Sequence, residues 1–300
     1  MKLKFSRLVD DARKNGRPLV ALESTVIAHG LPYPENLETA IACEQAVTDG
    51  GAVPATIAIF GGEVCVGLER HQIEELATRK DIRKISRRDL PLAIGNKLDC
   101  ATTVATTSFF AHMAGIGVFA TGGIGGVHRG FDKDISADLP ELAQTPVVVV
   151  CSGAKIVLDL PATREWLETF GVTVLGWQCD EMPAFYSRAS GLDVDERVES
   201  GGDVARIAGA RDQLGLKNAI LVTVPVPSDA EIPREECEVI LGEALAEAQA
   251  LGIRGKQITP FLLSQMSTRS GGRTLAANIA LLKNNAKIAS EIATAVAEII

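Results

Sequence analysis

Two short apolar runs, GVFAT at residues 117–121 and VVVVC at residues 147–151, have the composition of buried strands. A glycine-containing turn follows each of them. Strands covered on both faces, as in parallel sheets, read as continuous runs of β-branched and other apolar residues. Similar runs recur at Leu19–Leu22, Thr56–Phe60, Val172–Gly176 and Ala219–Val224.

Segments with helical periodicity separate these runs, at Glu35–Asp49, Thr103–Ala114, Ala154–Phe170 and Gly201–Leu214. Strands that alternate with helices predict an α/β fold, a three-layer α/β/α domain with a largely parallel central sheet. The last third differs, because Glu235–Leu251 and Thr274–Ile300 predict two long helices and hence a helical C-terminal region. No repeat or Pro/Ser-rich linker interrupts the sequence, which favours a single domain over residues 1–300.

The charge balance argues against a nucleic-acid polymer as partner, because the formal charge is −8 and only 30 of 300 residues are Lys or Arg. A small anionic substrate needs only a few local cations. The N-terminus has no apolar signal segment. The uncharged stretch 108–127 contains six glycines, so we expect no membrane span. Six dispersed cysteines without a CxxC pair predict reduced core thiols and a cytoplasmic protein.

Ligands of open α/β sheets bind beyond the carboxyl ends of the strands, so the residues that follow each predicted strand are the candidate site. Glu23 directly follows the first run, beside Ser24 and Thr25. A carboxylate there is well placed for proton transfer. A solvated loop residue or a helix cap is the alternative.

The run TGGIGGVHR at residues 121–129 follows the next candidate strand. Its four glycines allow backbone N–H groups to converge on an anion, with His128 and Arg129 adding charge. The spacing does not match the dinucleotide fingerprint GxGxxG. A tight structural turn is the alternative.

Asp134 and Asp138 flank Ser136 at a spacing that suits a mostly hydrated divalent cation, or the start of a helix. Lys155 falls one turn into the predicted helix 154–170, where a cation is disfavoured unless its amine has a role such as nucleophilic attack. Lys84 opens the basic run KISRRD, which indicates either solvated surface or a phosphate site.

Taken together, these segments resemble the pseudouridine-5'-phosphate glycosidase family, which includes indigoidine synthase A-like proteins. The matching stretches occur in family order across nearly the whole chain. They are ALESTVIAHGLPYPEN (from Ala21), KISRRDL (Lys84), ATTVATT (Ala101), ATGGIGGVHRG (Ala120), DISADL (Asp134), SGAKIVLDLPATREWLE (Ser152), DEMPAFYSR (Asp180), TPFLL (Thr259) and ANIALLKNNA (Ala277). One departure from the family pattern is the connection 131–133, between the motifs ATGGIGGVHRG and DISADL, which is shorter than expected for the family.

The resemblance implies a role for each matching residue. Glu23 corresponds to the proton donor, Lys155 to the nucleophile that forms a Schiff base with ribose C1', and Asp134 to the ligand of Mn²⁺ or a similar divalent cation. Substrate-binding positions correspond to Lys84, Val104, Thr121, His128, Ser136, Ala137, Asp138 and Asn278. The resemblance also implies a three-layer α/β/α fold and a homotrimer.

The activity that the resemblance implies is cleavage of the C–C glycosidic bond of pseudouridine 5'-phosphate to uracil and ribose 5-phosphate, in a reversible reaction. Because a C-glycoside has no heteroatom leaving group, a lysine that forms an iminium with the sugar suits this chemistry better than a carboxylate pair. A Schiff-base C–C lyase or C-glycosyl enzyme of pigment biosynthesis is the alternative. A non-catalytic sugar-phosphate-binding protein is a third hypothesis, although it would not need the Glu23, Asp134 and Lys155 set.

Overall fold

The computed structural model of the protein describes residues 2–129, 134–253 and 258–299. The strands of this described part are β1 (Lys4–Phe5), β2 (Leu19–Leu22), β3 (Val53–Phe60), β4 (Glu63–Val66), β5 (Arg83–Ile85), β6 (Cys100–Thr102), β7 (Val118–Ala120), β8 (Val127–His128), β9 (Val148–Cys151), β10 (Leu158–Asp159), β11 (Thr173–Trp177), β12 (Glu196–Val198) and β13 (Ile220–Thr223).

The helices are α1 (Arg7–Lys14), α2 (Glu35–Asp49), α3 (Arg70–Thr78), α4 (Leu90–Gly95), α5 (Val104–Met113), α6 (Asp138–Leu142), α7 (Leu160–Thr169), α8 (Gly201–Gln213), α9 (Arg234–Ala250), α10 (Ile258–Arg269) and α11 (Arg273–Ile299). A π-helical turn covers Val26–Gly30, and a 3₁₀ turn covers Arg87–Asp89.

The central sheet is parallel along the order β3-β2-β7-β9-β13-β11-β12. An arm extends beyond β3, whose last residues pair antiparallel with β4 and β6. Buried valines, isoleucines and alanines fill these strands, as the apolar runs predict. The expected largely parallel sheet is confirmed.

Helices cover both faces of the sheet. The long helix α11 packs on β2, β7 and β9, with α2 and α8 beside it. The apolar helix α5 packs against β2, β3 and β7, and α7 lies against β11. The three-layer arrangement and the helical C-terminal region are therefore as predicted. The helices α9 and α10 pack on each other.

The chain reverses its direction of growth across the sheet between β2 and β7. From β2 it continues to β3 on one side, and later it returns to place β7 on the other side. Such a switch point opens a crevice at the carboxyl ends of the two strands. The candidate site residues Glu23 and Thr121 directly follow these two strands.

One predicted element is wrong. The expected helix 154–170 begins only at Leu160, where Asp159 accepts a hydrogen bond of 3.0 Å from the amide of Ala162 and Pro161 occupies the first turn. An acidic cap followed by proline is a typical helix start. Lys155 therefore lies in the connection between β9 and β10, and the argument from its position in a helix does not hold.

The six cysteines are free thiols, and all but Cys179 are buried, as expected for small core residues. Among the described residues, no helix is both long enough and apolar enough to cross a lipid bilayer. The uncharged stretch 108–127 forms the end of α5, the strand β7 and the glycine-containing turn that follows it.

Candidate active site

Two cavities meet above the switch point. The first, of about 380 Å³, extends towards α10 and α11, and we call it the α10 cavity. The second, of about 350 Å³, extends towards Asp134, and we call it the Asp134 cavity. Their shared wall includes Glu23, Lys84 and Lys155.

Every residue to which the family resemblance assigns a role lines one of these cavities. Thr121 and Asn278 lie in the α10 cavity. The Asp134 cavity contains Val104, His128, Asp134, Ser136, Ala137 and Asp138. The structure thus brings the eleven predicted positions together, although they span residues 23 to 278 of the sequence. The roles assigned to them stay predictions.

Glu23 is fixed by the strand beside it. The hydroxyl of Thr121 donates a short hydrogen bond to its carboxylate. Burial raises the pKa of the Glu23 carboxyl above its usual value, against the opposing effects of Lys155, of the Thr121 hydroxyl and of Lys84. A raised pKa favours the protonated acid, the form that a proton donor requires.

Buried hydroxyls hold the chain that follows Glu23. The hydroxyl of Ser24 donates to the carbonyl of Ile57 at 2.6 Å and accepts from the amide of Thr102 at 2.8 Å. Thr25 donates to the carbonyl of Thr102 at 2.7 Å. These bonds join the chain just after β2 to β3 and β6, so the backbone that follows Glu23 is fixed.

The amine of Lys155 reaches the shared wall from the connection that follows β9. It donates a hydrogen bond of 2.6 Å to the carbonyl of Gly123, and the backbone amide of Lys155 donates to Ile124 at 3.1 Å. The lysine side chain is partly buried. The glycine run after β7 therefore cradles the lysine.

Part of the glycine run is a close-packed turn, while Gly122 and Gly123 line the α10 cavity. The amides of Ile124, Gly125 and Val127 donate to Gly153, Asp138 and Thr163, so they are not free to bind an anion. A Cβ atom at Gly125 would lie 2.2 Å from the hydroxyl of Ser136. Glycine is required there because Ser136 and Asp138 approach the backbone closely.

The carboxylate of Asp138 accepts hydrogen bonds from two distant backbone amides, which its sequence position did not reveal. Only 7% exposed, it accepts hydrogen bonds from Ala105 at 2.9 Å and from Gly125 at 2.8 Å. It is the first residue of α6 and makes no capping bond through its own side chain, whereas Ser136 accepts from the Asp138 amide at 3.2 Å. The predicted pairing of Asp138 with Asp134 around a cation is therefore not favoured.

Asp134 is exposed in its cavity. Among the described residues, no three His, Cys, Asp or Glu side chains gather into a metal cluster. One carboxylate with adjacent hydroxyl and carbonyl oxygens nevertheless fits a hard cation that keeps most of its water, as Mg²⁺ does. Residues 130–133, including the short connection noted in the sequence, lie outside the described residues.

The residues of the basic run KISRRD have two different roles, one in packing and one at the site. Arg87 binds both oxygens of the buried Glu141 at 3.0 Å and lies over the ring of Phe109. Lys84, on β5, and Arg88 line the Asp134 cavity. Two of the cations therefore remain at the site, while Arg87 stabilises the packing of α5 and α6.

Comparison with known proteins agrees with this geometry. The family model for indigoidine synthase A like protein matches residues 8–295. The chain belongs to this indigoidine synthase A-like family. It is 52% identical over 291 residues to the pseudouridine-5'-phosphate glycosidase of Caldanaerobacter subterraneus subsp. tengcongensis, covering 96% of this chain and 95% of the relative. It is 51% identical to the protein of the same name from Geobacillus kaustophilus, covering 97% of each chain.

Two solved structures have the same fold. The prealnumycin C-glycosynthase AlnA, solved with ribulose 5-phosphate, superposes with a TM-score of 0.92 at 39% identity and covers 99% of this chain and 97% of its own. An indigoidine synthase A-like protein from Thermotoga maritima gives a TM-score of 0.90 at 36% identity, with coverage of 98% and 97%.

Some residues at this family site were missed by the sequence analysis. The wall of the α10 cavity includes Ser264, Ser267 and Thr268, which lie on one face of α10. Asn285 on α11 is completely buried and donates to the carbonyl of Thr121 at 2.9 Å and to the hydroxyl of Ser152 at 3.2 Å. A polar amide inside the apolar helix pattern 275–293 was the available signal.

Proposed function

We propose that the protein cleaves the C–C glycosidic bond of pseudouridine 5'-phosphate and releases uracil and ribose 5-phosphate. The observation that supports this most strongly is the shared cavity wall, where the partly buried Glu23, whose pKa is raised, stands beside a lysine amine. The relatives named as pseudouridine-5'-phosphate glycosidases, at about half identity over nearly the whole chain, support the substrate.

The lysine opens the sugar. The amine of Lys155 attacks C1', the bond from C1' to the ring oxygen breaks, and that oxygen takes a proton. The nitrogen lone pair then forms the C1'=N bond as the bond from C1' to uracil C5 breaks, and C5 takes a proton. Water hydrolyses the imine, which releases ribose 5-phosphate and restores the amine.

Glu23 in its acid form supplies protons to these steps, because its pKa is raised by burial. Its position at the end of β2 keeps it within reach of the same sugar carbon as Lys155. Positioned general acids typically contribute about 10²–10⁴-fold to the rate.

The two cavities suggest how the substrate lies. Lys84 and Arg88 give the Asp134 cavity the cationic side chains that a phosphate needs, and the imidazole of His128 lines the same cavity. The α10 cavity offers Asn278 and several hydroxyl groups to the polar edge of uracil. C1' then lies at the shared wall, between the two ends of the substrate.

A divalent cation, Mn²⁺ by family resemblance, belongs to the proposal. Asp134 would hold it, with water filling the remaining positions, and when bound it supplies charge stabilisation at the oxygen atoms of the substrate. We further propose that the protein works as a homotrimer in the cytoplasm and runs the reaction in either direction.

The direct test mixes the protein with pseudouridine 5'-phosphate and Mn²⁺ and follows uracil by chromatography, while a second sample is quenched with borohydride for mass analysis. We expect uracil release and a sugar-phosphate adduct on Lys155. Lys155→Ala should lose both signals, and Lys217→Ala, which removes an exposed lysine, should lose neither. An active Lys155→Ala protein would overturn the mechanism.

A C-glycosyl enzyme acting on another aglycone is the second candidate, because the neighbouring structure AlnA is named a C-glycosynthase. A panel of C-nucleoside phosphates and aromatic acceptors with ribose 5-phosphate separates the two. Turnover confined to pseudouridine 5'-phosphate and uracil excludes this second candidate.

A further inference from the structure

Arg129 follows His128 directly, yet its guanidinium is directed to the protein and not to the cavities. Its Nε donates to the carbonyl of Leu158 at 3.0 Å, and Nη2 donates to the carbonyl of Ile156 at 3.3 Å. The two terminal nitrogens also bind the two oxygens of Glu238, each at 2.9 Å. The sequence interpretation that Arg129 adds charge to an anion site is therefore wrong.

The two carbonyls belong to the turn that begins at Lys155. The amide of Leu158 donates to the carbonyl of Lys155 at 3.0 Å and closes this turn. Leu158 then pairs with His128 in the small antiparallel sheet of β8 and β10. Ile156 and Leu158 are buried, so their carbonyls need partners within the protein. Arg129 supplies a donor to each.

We infer that Arg129 is a positioning residue for Lys155, and that Glu238 on α9 orients Arg129. Arginine suits this task because its planar fork binds a carboxylate through two bonds and still has donors left, which lysine cannot do. The arginine side chain is 30% exposed and that of Glu238 is 36% exposed, so the pair is partly shielded from water. This inference rests on the proposed role of Lys155 as nucleophile.

The competing explanation is that the ion pair only fastens α9 to the rest of the protein. A second pair allows the two to be distinguished. Arg273 of α11 binds Glu236, two residues before Glu238 on the same helix, and has no bond to the turn after Lys155. Removal of Glu236 therefore releases α9 at a neighbouring point but leaves the lysine turn intact.

The experiment compares Arg129→Ala, Arg129→Lys, Glu238→Ala and Glu236→Ala. The rate of adduct formation is measured in a single turnover with pseudouridine 5'-phosphate, by borohydride quench and mass analysis, together with kcat, KM and the thermal midpoint. A displacement of about 1 Å in a reacting group costs on the order of 10²-fold in rate. We expect Arg129→Ala to slow adduct formation by about 10- to 100-fold.

The other variants should differ in how much they slow adduct formation. We expect Arg129→Lys to be slowed nearly as much as Arg129→Ala, and Glu238→Ala to be slowed less, because Arg129 keeps its carbonyl contacts. Glu236→Ala should keep the wild-type rate. The double variant Arg129→Ala/Glu238→Ala should be no slower than Arg129→Ala alone, since Glu238 acts through the arginine. KM should change by less than about threefold, because substrate contacts remain.

Two results would overturn the inference. One is adduct formation at the wild-type rate in folded Arg129→Ala or, where that variant does not fold, in Arg129→Lys. The other is an equal loss in Glu236→Ala and Glu238→Ala, which would show an anchoring role for the ion pair. Failure of the proposed function appears separately, as the absence of any adduct in the wild-type protein.

Discussion

Thr121 and Glu23 are joined by a hydrogen bond between the ends of two adjacent parallel strands. The register pairs Leu22 with Ala120, so the next residue of each strand lies beside the other. The sheet itself therefore sets the distance between hydroxyl and carboxylate. Functional groups held on rigid elements keep their geometry better than groups on free loops.

Thr121→Val is expected to move the alkaline limb of the kcat–pH profile to higher pH. The hydroxyl stabilises the charged carboxylate and so lowers the pKa of Glu23. Its loss raises that pKa further, and the acid form persists to higher pH. Thr121→Ser retains the hydroxyl and should keep the wild-type limb. A limb that stays in place in Thr121→Val, or moves to lower pH, contradicts the role of Glu23 as the titrating acid.

Asn285→Leu is expected to destabilise the protein and reduce kcat. The substitution leaves the carbonyl of Thr121 and the buried hydroxyl of Ser152 without their amide partner. An unsatisfied buried polar group costs about 1–3 kcal/mol, which urea unfolding would measure. Asn284→Ala, at the adjacent and less buried position, should change stability by less than about 0.5 kcal/mol. Equal stability of the two variants would contradict the assignment.

Apolar periodicity predicted much of the fold. The strand β2 and the helix α2 have the predicted bounds, and the other predicted strands that flank the site shift by one or two residues at their ends or, like β3, extend further. The start of α7 was missed because the apolar residues 156–158 continue the helical pattern. The cap at Asp159 and Pro161 decides that boundary locally.

The sequence predicted which residues form the candidate site, but not the hydrogen bonds between them. The sequence motifs identified Glu23, Lys155 and Asp138 as site residues. The order of the strands in the sheet explains why these residues lie close together. The partners of Asp138, which are backbone amides of Ala105 and Gly125, could not be predicted. Nothing in the sequence spacing states which amide a distant carboxylate will face, because that depends on how α5 and the glycine turn pack.

Asp134→Asn is expected to weaken Mn²⁺ binding by at least about tenfold, since even a neighbouring group that supports a metal ligand contributes that much. Titration calorimetry with Mn²⁺ alone measures this without reference to turnover. Asp193→Asn changes an exposed aspartate outside both cavities and should bind Mn²⁺ like the wild type. Unchanged affinity in Asp134→Asn would place the cation elsewhere.

Asp138→Asn should shift the kcat–pH profile in the opposite direction to Thr121→Val. The negative charge of Asp138 disfavours ionisation of Glu23 and raises its pKa. When the charge is removed, Glu23 ionises more easily, and the alkaline limb moves to lower pH.

The same variant, Asp138→Asn, should lose about 1–3 kcal/mol of stability, because one of the two backbone amides then faces an amide donor instead of a carboxylate oxygen. The double variant Thr121→Val/Asp138→Asn should place its limb between those of the single variants, because both substitutions act on one carboxyl. Two limbs that move in the same direction would show that a group other than Glu23 controls the alkaline side of the profile.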